Sequence, residues 1–195
     1  MRCSEACRAT KETAITVVLD LDGSGETAID TGNGFFDHML DALGRHGLLD
    51  LSVRAKGDLQ VDAHHTVEDT GIVLGMAVAE ALADKRGIAR FATEVVPMDE
   101  ALMLASIDIS GRGACYWAAE VPIGAIESFD TQLAKEFFVA FAANAGLTLH
   151  IRQLAGENAH HLIEAAFKAC GRALRGAVAL DPRIEGRLPS TKGAL

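Results

Sequence analysis

Apolar residues occupy every second position of the segment 14–22, at Ile15, Val17, Leu19 and Leu21. A period of two is typical of a β-strand with one buried face. Turn-forming residues follow in Asp22-Gly23-Ser24-Gly25, and the segment 26–31 is predicted to be a second strand. Because only a short turn separates the two segments, the pattern predicts that they pair as a β-hairpin.

The spacing changes to that of a helix from Phe35 to about Arg45, where apolar residues stand at 35, 36, 39, 40 and 43. Alternation returns over 50–55 and predicts a further strand. A longer helix is predicted from about His64 to Ala83. The first half of the chain is therefore predicted to run strand, strand, helix, strand, helix.

The second half of the chain repeats this order. Strands are predicted at 101–109, 114–121 and 147–151, and helices at 131–143 and 159–179. The segment 19–23 resembles 107–111 at an offset of 88 residues, whereas Leu51/Leu147 and Gly75/Gly171 share an offset of 96. An insertion between these segments explains the change of offset.

We therefore predict an α+β fold built by internal duplication of a strand-strand-helix-strand-helix unit, with two sheets and with helices packed between or against them. The pseudo-repeats are expected at about 8–90 and 91–180, with 84–100 forming the connection and an extra strand. The segment 181–195 is expected to be a C-terminal tail of the same single domain.

Composition and charge indicate which partners and which cellular location to expect. The net charge of −9 argues against nucleic acid or an anionic membrane as a partner, because both attract positive surfaces. No apolar run reaches the roughly 20 residues that span a bilayer, and the amino terminus does not resemble a signal peptide. The cytoplasm is therefore the expected location, and the four cysteines are expected to be reduced.

The most informative motif is a His-His-x-x-Glu element that occurs twice. Asp62-Ala63-His64-His65-Thr66-Val67-Glu68 recurs as Asn158-Ala159-His160-His161-Leu162-Ile163-Glu164. Neighbouring residues on a helix differ by about 100° in direction, so the two histidines of a pair cannot easily bind one ion. Each element is therefore predicted to serve two ions, and imidazole with carboxylate suits an octahedral ion such as manganese.

Two further ligands are inferred from the repeat. His38 lies on the helix before the first element, and Glu136 lies at the matching place before the second. His150 is the rival for this role, although its position in a predicted strand favours packing or support of a ligand.

Other interpretations of these residues remain open: each element could be a solvated helix start capped by Asp62 or Asn158. Glu136 could likewise pair with Lys135 or Lys168, and His46 could contact substrate or pack in a loop.

The segments 61–72 and 156–169 resemble both diagnostic segments of the imidazoleglycerol-phosphate dehydratase family. Phe36-Asp37-His38-Met39-Leu40, Pro97-Met98-Asp99-Glu100-Ala101, Ser110-Gly111-Arg112 and Ser190-Thr191-Lys192-Gly193 resemble further blocks of that family in the expected order. The resemblance extends from about Arg8 to Gly193.

The resemblance implies a lyase of histidine biosynthesis that removes water from D-erythro-imidazole-glycerol phosphate to give imidazole-acetol phosphate. It also implies two Mn²⁺ per active site, a duplicated fold and a 24-subunit assembly whose sites are shared between neighbouring subunits. Coordination of the substrate imidazole by metal is expected to favour the imidazolate, from which the hydroxyl leaves to give a diazafulvene-like intermediate.

The resemblance also assigns roles to individual residues. Glu12 is implied as the acid/base, with Glu68 and Glu164 close by. Phosphate binding is implied for Arg90, Arg112, Lys168, Ser190 and Lys192. Two positions depart from the family pattern: Glu136 stands where many members have histidine, and Ala42 where many have glutamine. The contact of that glutamine is therefore either missing or supplied by His46.

Two other functions use similar parts. A two-metal phosphohydrolase also combines histidine, carboxylate and phosphate-binding cations, but it needs a carboxylate that bridges the metals, which the repeated pattern does not provide. A metal-assembled storage or scaffold protein would saturate its ions with protein ligands. The dehydratase is the preferred hypothesis.

Overall fold

The computed structural model describes residues 2–184 and 186–194. The first repeat contains β1 (Cys3–Ala9), β2 (Thr13–Asp20), β3 (Thr27–Asp30), α1 (Gly34–Gly47), β4 (Asp50–Gly57) and α2 (His64–Leu82). The second repeat contains β5 (Phe91–Met98), β6 (Ala101–Asp108), β7 (Ala114–Ala118), α3 (Leu133–Ala145), β10 (Thr148–Ala155) and α4 (Ala159–Val178). A small hairpin of β8 (Ala125–Ile126) and β9 (Phe129–Asp130) is inserted before α3, and a short 3-10 turn (Pro182–Ile184) follows α4.

The strands form two four-stranded sheets of matching topology, with the orders β1-β2-β4-β3 and β5-β6-β10-β7. In each sheet the fourth strand, β3 or β7, runs parallel to its neighbour while the other pairs are antiparallel. The prediction of two sheets with packed helices in a duplicated α+β fold is confirmed. The four helices begin and end within two residues of the predicted positions.

The predicted hairpin of the first two strands is wrong. The segment 27–30 pairs with β4, where Ile29 lies opposite Val53, and not with the strand that precedes it. Asp50 explains the difference, since its Oδ1 accepts the backbone N–H groups of Ser24, Gly25 and Glu26 at 2.8–3.0 Å. The turn is thus fastened to the start of β4, and the chain continues along the far edge of that strand.

Strand β1 was not predicted, because its inward-facing residues are small. Ser4 and Ala6 are buried, whereas Cys3, Glu5 and Cys7 are exposed, so the period of two is present without large apolar residues. The extra strand expected within 84–100 is β5, the counterpart of β1. Each repeat therefore contains one strand more than the predicted unit.

The helices pack across the two repeats. α2 lies against α3, and α1 lies against α4. Two glycines allow the close approach: a Cβ on Gly75 of α2 would meet the Phe141 carbonyl oxygen at 2.7 Å, and one on Gly171 of α4 would meet the Leu43 oxygen at 2.3 Å. These glycines occupy equivalent positions in the duplicated unit, so the same close crossing is built twice.

This crossed packing decides which functional side chains meet. The His-His-x-x-Glu element at the start of α2 comes close to the first turn of α3, and the element at the start of α4 comes close to α1. Each element therefore meets a side chain from the other repeat. Within the described residues no helix is both long and apolar enough to cross a membrane.

Candidate metal centre and substrate site

One cluster of potential metal ligands joins α1 to α4, and we call it the first half-site. His38 Nε2 and His160 Nε2 lie 3.2 and 3.1 Å from the same atom, Oε2 of Glu164. One donor atom from each of these three side chains lies within 4.8 Å of the other two. The Glu164 side chain is only 7% exposed, whereas that of His38 is 50% exposed. The first half-site thus has a buried carboxylate and opens to the surface through its histidines.

Lys168 completes the surroundings of Glu164. Its Nζ lies 2.6 Å from Oε1 of Glu164, one helical turn away on α4. Burial by itself raises the pKa of Glu164, but hydrogen bonds from Lys168 and His38 outweigh burial and hold that pKa below its ordinary value. The carboxylate is therefore anionic at neutral pH, as a metal ligand must be.

Between α2 and α3 the side chains of His64, Glu68 and Glu136 lie at the equivalent place in the fold, and we call them the second half-site. His64 and Glu136 line one cavity of about 260 Å³, together with Asp62, Ala63, Ser128, Asp130, Gln132 and Leu133. His64 Nε2 lies 3.8 Å from Glu68 Oε2, one turn along α2. Lys168, a suggested partner of Glu136, pairs instead with Glu164. The equivalence of His38 and Glu136 inferred from the repeat thus corresponds to equivalent places in the fold, each opposite the element of the other repeat.

The second histidine of each pair contacts a different set of groups. His65 Nδ1 lies 3.0 Å from Asp58 Oδ2, and His161 Nδ1 lies 2.7 Å from Glu100 Oε2. The Nε2 atoms are near other carboxylates, at 3.9 Å from Glu12 for His65 and 3.7 Å from Asp99 for His161. A hydrogen bond from Nδ1–H to a carboxylate leaves the Nε2 lone pair available for a metal ion.

These contacts change the protonation equilibria of the metal-free protein. The hydrogen bond to Asp58 raises the pKa of His65, and the hydrogen bond to Glu100 raises that of His161. Donation from His161, with the backbone N–H of Asn158, lowers the pKa of Glu100 to about 2. Each histidine must lose a proton before it can bind a metal ion.

The helix-start interpretation of the two elements is compatible with the metal interpretation. Asn158 caps α4, since its side-chain oxygen accepts the N–H groups of His160 and His161. Asp62 accepts the N–H of His64 at 2.8 Å, although Ala63 is the residue at the cap position of α2. These bonds fix the backbone on which the histidines stand.

The residues implied in phosphate binding fall into two groups. Arg90 donates from Nε to Asp108 at 2.8 Å and from Nη1 to the Pro189 carbonyl at 2.8 Å, which places it next to the tail containing Ser190 and Lys192. The Lys192 N–H is 3.2 Å from Ser190 Oγ. The second cation near Asp108 is Arg112, whose side chain is 73% exposed. Lys168, by contrast, belongs to the first half-site.

The remaining candidates lie as follows. His46, at the end of α1, is exposed, and partial burial together with the positive charges of Lys168 and Arg172 lowers its pKa. His150 stacks on Tyr116 with ring centroids 4.7 Å apart on the exposed face of the sheet. The structure therefore favours a packing role for His150. Ala42 is buried within α1.

Sequence reasoning missed three acidic residues in and around the site. Asp58 follows β4 and contacts His65, Glu100 lies in the β5–β6 turn and contacts His161, and Asp69 lies on α2 beneath the β1–β2 turn. The repeat offset of 88 residues equates Glu100 with Glu12, a signal that could have drawn attention to Glu100. Asp58 and Asp69 have no acidic counterpart at an offset of 96, so the repeat could not indicate them.

A duplicated sheet-and-helix fold with a His38–His160–Glu164 cluster that could hold a metal ion, and with cationic side chains nearby, is typical of a metal-dependent enzyme for a small anionic substrate. Comparison with known proteins identifies which one. Residues 31–174 match the family model described as imidazoleglycerol-phosphate dehydratase. The chain belongs to this family and is a hydro-lyase of histidine biosynthesis, as the resemblance implied.

Individual relatives agree over the full length of the chain. A protein of Acidiphilium cryptum named imidazoleglycerol-phosphate dehydratase is 59% identical over 194 residues, which cover 100% of this chain and 99% of the relative. The dehydratase structure from Staphylococcus aureus is 38% identical with a TM-score of 0.82, covering 91% of this chain and 100% of that one. The structure from Pyrococcus furiosus is 40% identical with a TM-score of 0.83, covering 97% and 99%.

Proposed function

We propose that this chain dehydrates D-erythro-imidazole-glycerol phosphate to imidazole-acetol phosphate at a centre of two Mn²⁺ ions. The ligands are the side chains of both half-sites and the two outward histidines: His38, His64, His65, Glu68, Glu136, His160, His161 and Glu164. The observation that carries this proposal is the convergence of His38, His160 and Glu164 within 4.8 Å, in a chain of the dehydratase family.

The donor atoms suit a divalent metal ion of intermediate hardness as a Lewis acid. Imidazole nitrogens and carboxylate oxygens in this mixture suit manganese, and no cysteine belongs to either half-site. Glu136 in place of a histidine exchanges a nitrogen donor for an oxygen donor and adds negative charge to the second half-site. When bound, the metal supplies Lewis-acid activation of the substrate imidazole, which acidifies the neighbouring C–H bond.

The half-sites also support a site shared between subunits. Each half-site offers three donors from one chain, fewer than the roughly six that octahedral ions take. The histidine side chains are partly exposed, at 50% for His38, 44% for His64 and 42% for His160. A neighbouring copy can therefore reach them, and this supports the 24-subunit assembly implied by the resemblance.

We expect chelation of the metal to reduce the assembly to smaller species, as measured by light scattering. An unchanged particle mass after complete metal removal would show that the ions are not at subunit contacts.

Glu12 is the proposed acid/base. Its side chain is 56% exposed, and its Oε2 lies 3.9 Å from His65 Nε2. At this position a carboxylate can take up the substrate proton and return a proton to the departing hydroxyl. Glu68 and Glu164, themselves among the proposed metal ligands, complete the acidic surroundings of the reacting carbons.

The phosphate of the substrate is proposed to bind at Arg90, Arg112, Ser190 and Lys192, with Lys168 contributing from the first half-site. Arg90 is held in place by Asp108, and its contact with Pro189 brings the tail to the site. The planar guanidinium groups suit paired hydrogen bonds to phosphate oxygens. His46 lies near Lys168 and is proposed to contact the substrate in place of the glutamine that Ala42 replaces.

The test is incubation of the purified protein with Mn²⁺ and imidazole-glycerol phosphate while ketone and inorganic phosphate are both measured. Ketone formation without phosphate release is the expected result. Phosphate release alone would indicate a two-metal phosphohydrolase, and no turnover with intact metal would indicate a scaffold protein. A His38→Ala variant is expected to lose both turnover and Mn²⁺, since it removes one of the three converging donors.

A further inference from the structure

The duplication places an acidic residue at the same point of both repeats. Glu12 lies in the turn between β1 and β2, and Glu100 lies in the turn between β5 and β6, 88 residues later. The same offset maps the strand pair Ala9↔Ala14 onto Pro97↔Leu102. The two glutamates are therefore equivalent by strand register as well as by sequence.

Glu100 is committed to holding its own turn. Its Oε1 accepts the N–H of Asn158 at 2.9 Å, and its Oε2 lies 2.7 Å from His161 Nδ1. The carboxylate thus fastens the β5–β6 turn to the start of α4. Both oxygens of the Glu100 carboxylate therefore hold the turn and the histidine in place.

The turn that carries Glu12 is held in a different way, by a residue of the underlying helix α2. Asp69 of α2 is buried, with 7% of its surface exposed, and accepts a hydrogen bond from Thr13 Oγ1. Arg8 Nη1 on β1 lies 2.6 Å from the same Asp69 oxygen, Oδ2. These three residues form a group that we call the Asp69 triad. It joins both strands that flank the turn to the helix bearing His64 and His65.

The turn itself is closed by Thr10. Its Oγ1 accepts the N–H of Glu12 at 3.1 Å and that of Thr13 at 3.0 Å. Thr13 therefore belongs to both the turn and the Asp69 triad. The backbone of Glu12 is fixed while its carboxylate takes no part in holding the turn.

The second repeat has no counterpart of this triad. At the repeat offsets of 88 and 96 residues, the equivalents of Arg8, Thr13 and Asp69 are Val96, Ala101 and Ala165. Ala101 and Ala165 are buried at 1% and 0% exposure, so the same fold closes at this place with apolar side chains. The fold alone does not require the Asp69 triad, which occurs only beneath the turn with the free glutamate.

We propose that Asp69 is a positioning residue for Glu12: with Arg8 and Thr13 it fixes the β1–β2 turn relative to α2 and so leaves the Glu12 carboxylate free to act. This inference rests on the proposed acid/base role of Glu12. Asp69 itself does not contact the reacting atoms. It acts by keeping Glu12 at a fixed distance from the histidines of the same helix.

The test replaces the triad by the residues that the second repeat already uses, in the variant Arg8→Val, Thr13→Ala, Asp69→Ala. We expect kcat to fall by about 10- to 100-fold, the scale of a misplaced catalytic group. KM and bound Mn²⁺ are expected to stay at wild-type values. Hydrogen exchange of the 10–13 amides is expected to speed up, with the 158–164 amides unchanged. The isosteric variant Asp69→Asn, which keeps an acceptor for Thr13, is expected to lose less activity.

Ser4→Ala is the matched control. Ser4 Oγ donates to the Ala77 carbonyl at 2.7 Å and so joins the same strand and helix away from the turn, and the equivalent residue in the second repeat is Ala92. This variant is expected to retain wild-type kcat. An equal loss in Ser4→Ala would show that the triad matters only for general packing of β1 on α2.

A Glu12→Gln background separates the two proposals. If Asp69 acts through Glu12, adding the triad substitutions to Glu12→Gln lowers kcat no further. A further loss of kcat in that background overturns the inference and leaves the role of Glu12 intact. The same conclusion follows if the triad variant has wild-type kcat and wild-type hydrogen exchange while Glu12→Gln is inactive. Full activity of Glu12→Gln overturns both. If the triple variant does not assemble, Asp69→Asn provides the same comparisons.

Discussion

The crossing of α1 and α4 sets the spacing of the first half-site, and Gly171→Ala tests it. A Cβ at Gly171 would lie 2.3 Å from the Leu43 carbonyl oxygen, which belongs to the backbone and cannot rotate away. An ordinary carbon–oxygen contact is about 3.4 Å, so the two helices must separate by about 1 Å at this point. Leu43 is on the same helix as His38, and Gly171 is on the same helix as Glu164.

The expected effect has two parts. Overpacking of this kind costs about 1–3 kcal/mol, and the better helix propensity of alanine offsets about 1 kcal/mol of it. A net loss on the order of 1 kcal/mol lowers the unfolding midpoint by about 2–4 °C in a chain of this size. The metal is affected more strongly, because ligand distances are restricted to about 0.2 Å and the donors move apart. We expect Mn²⁺ affinity to fall by about 10- to 100-fold, as for other disturbed metal surroundings.

Calorimetric melting and Mn²⁺ titration by electron paramagnetic resonance measure the two effects. Gly124→Ala is the control for the glycine-to-alanine change itself, since nothing lies within 4 Å of a Cβ there. Gly75→Ala opens the equivalent crossing of α2 and α3 and should weaken the second half-site instead. If Gly171→Ala binds Mn²⁺ as tightly as Gly124→Ala, the helix spacing does not govern the first half-site.

Two further predictions concern the groups around the outward histidines. Glu100→Gln removes the negative charge beside His161 Nδ1 and leaves one amide oxygen where two carboxylate oxygens served His161 and the Asn158 N–H. Mn²⁺ affinity should therefore fall by about 10- to 100-fold while Glu157→Gln, a neighbouring exposed residue, binds normally; equal affinities would exclude an orienting role for Glu100. The raised pKa values of His65 and His161 make their charged forms stabilising in the metal-free protein. That contribution is fully present below the unfolded pKa of about 6.5 and is lost as pH rises through the folded values. Melting of metal-free protein should therefore shift downward above pH 6.5 while Mn²⁺ affinity rises, and parallel changes of the two would refute the assignment.

The local pattern predicted the elements because most strands and helices have a strong apolar face. It failed where a distant side chain decides the outcome. Asp50 redirects the turn at 24–26 toward β4, and neither alternation nor turn composition contains that contact. β1 escaped notice because its buried residues are small. Its place is set by pairing with β2 and by the hydrogen bond from Ser4 Oγ to the Ala77 carbonyl of α2, and a hydrophobic pattern reveals neither contact.

The same distinction applies to the metal centre. Internal repetition pointed to His38 and Glu136 without any knowledge of the fold, because duplicated units keep equivalent residues at equivalent places. It could not show that each meets the element of the opposite repeat, since helix pairing across repeats depends on close crossings such as that of Gly171 with Leu43. It also could not indicate residues present in one repeat only, such as Asp58 and Asp69.

The loss of symmetry between the repeats has a chemical consequence. A duplicated metal-binding unit needs equivalent ligands in both halves, and His64 and Glu68 correspond to His160 and Glu164. Proton transfer to a single substrate needs one free carboxylate, and two equivalent free ones would repel each other at a shared site. Glu100 has been drawn into hydrogen bonds with His161 and the Asn158 backbone. The first repeat orients its outward histidine with Asp58 instead, so the Glu12 carboxylate, 3.9 Å from His65 Nε2, is not needed for that purpose. Under the proposed role of Glu12, divergence of the two turns separates metal orientation from acid/base catalysis within one repeated architecture.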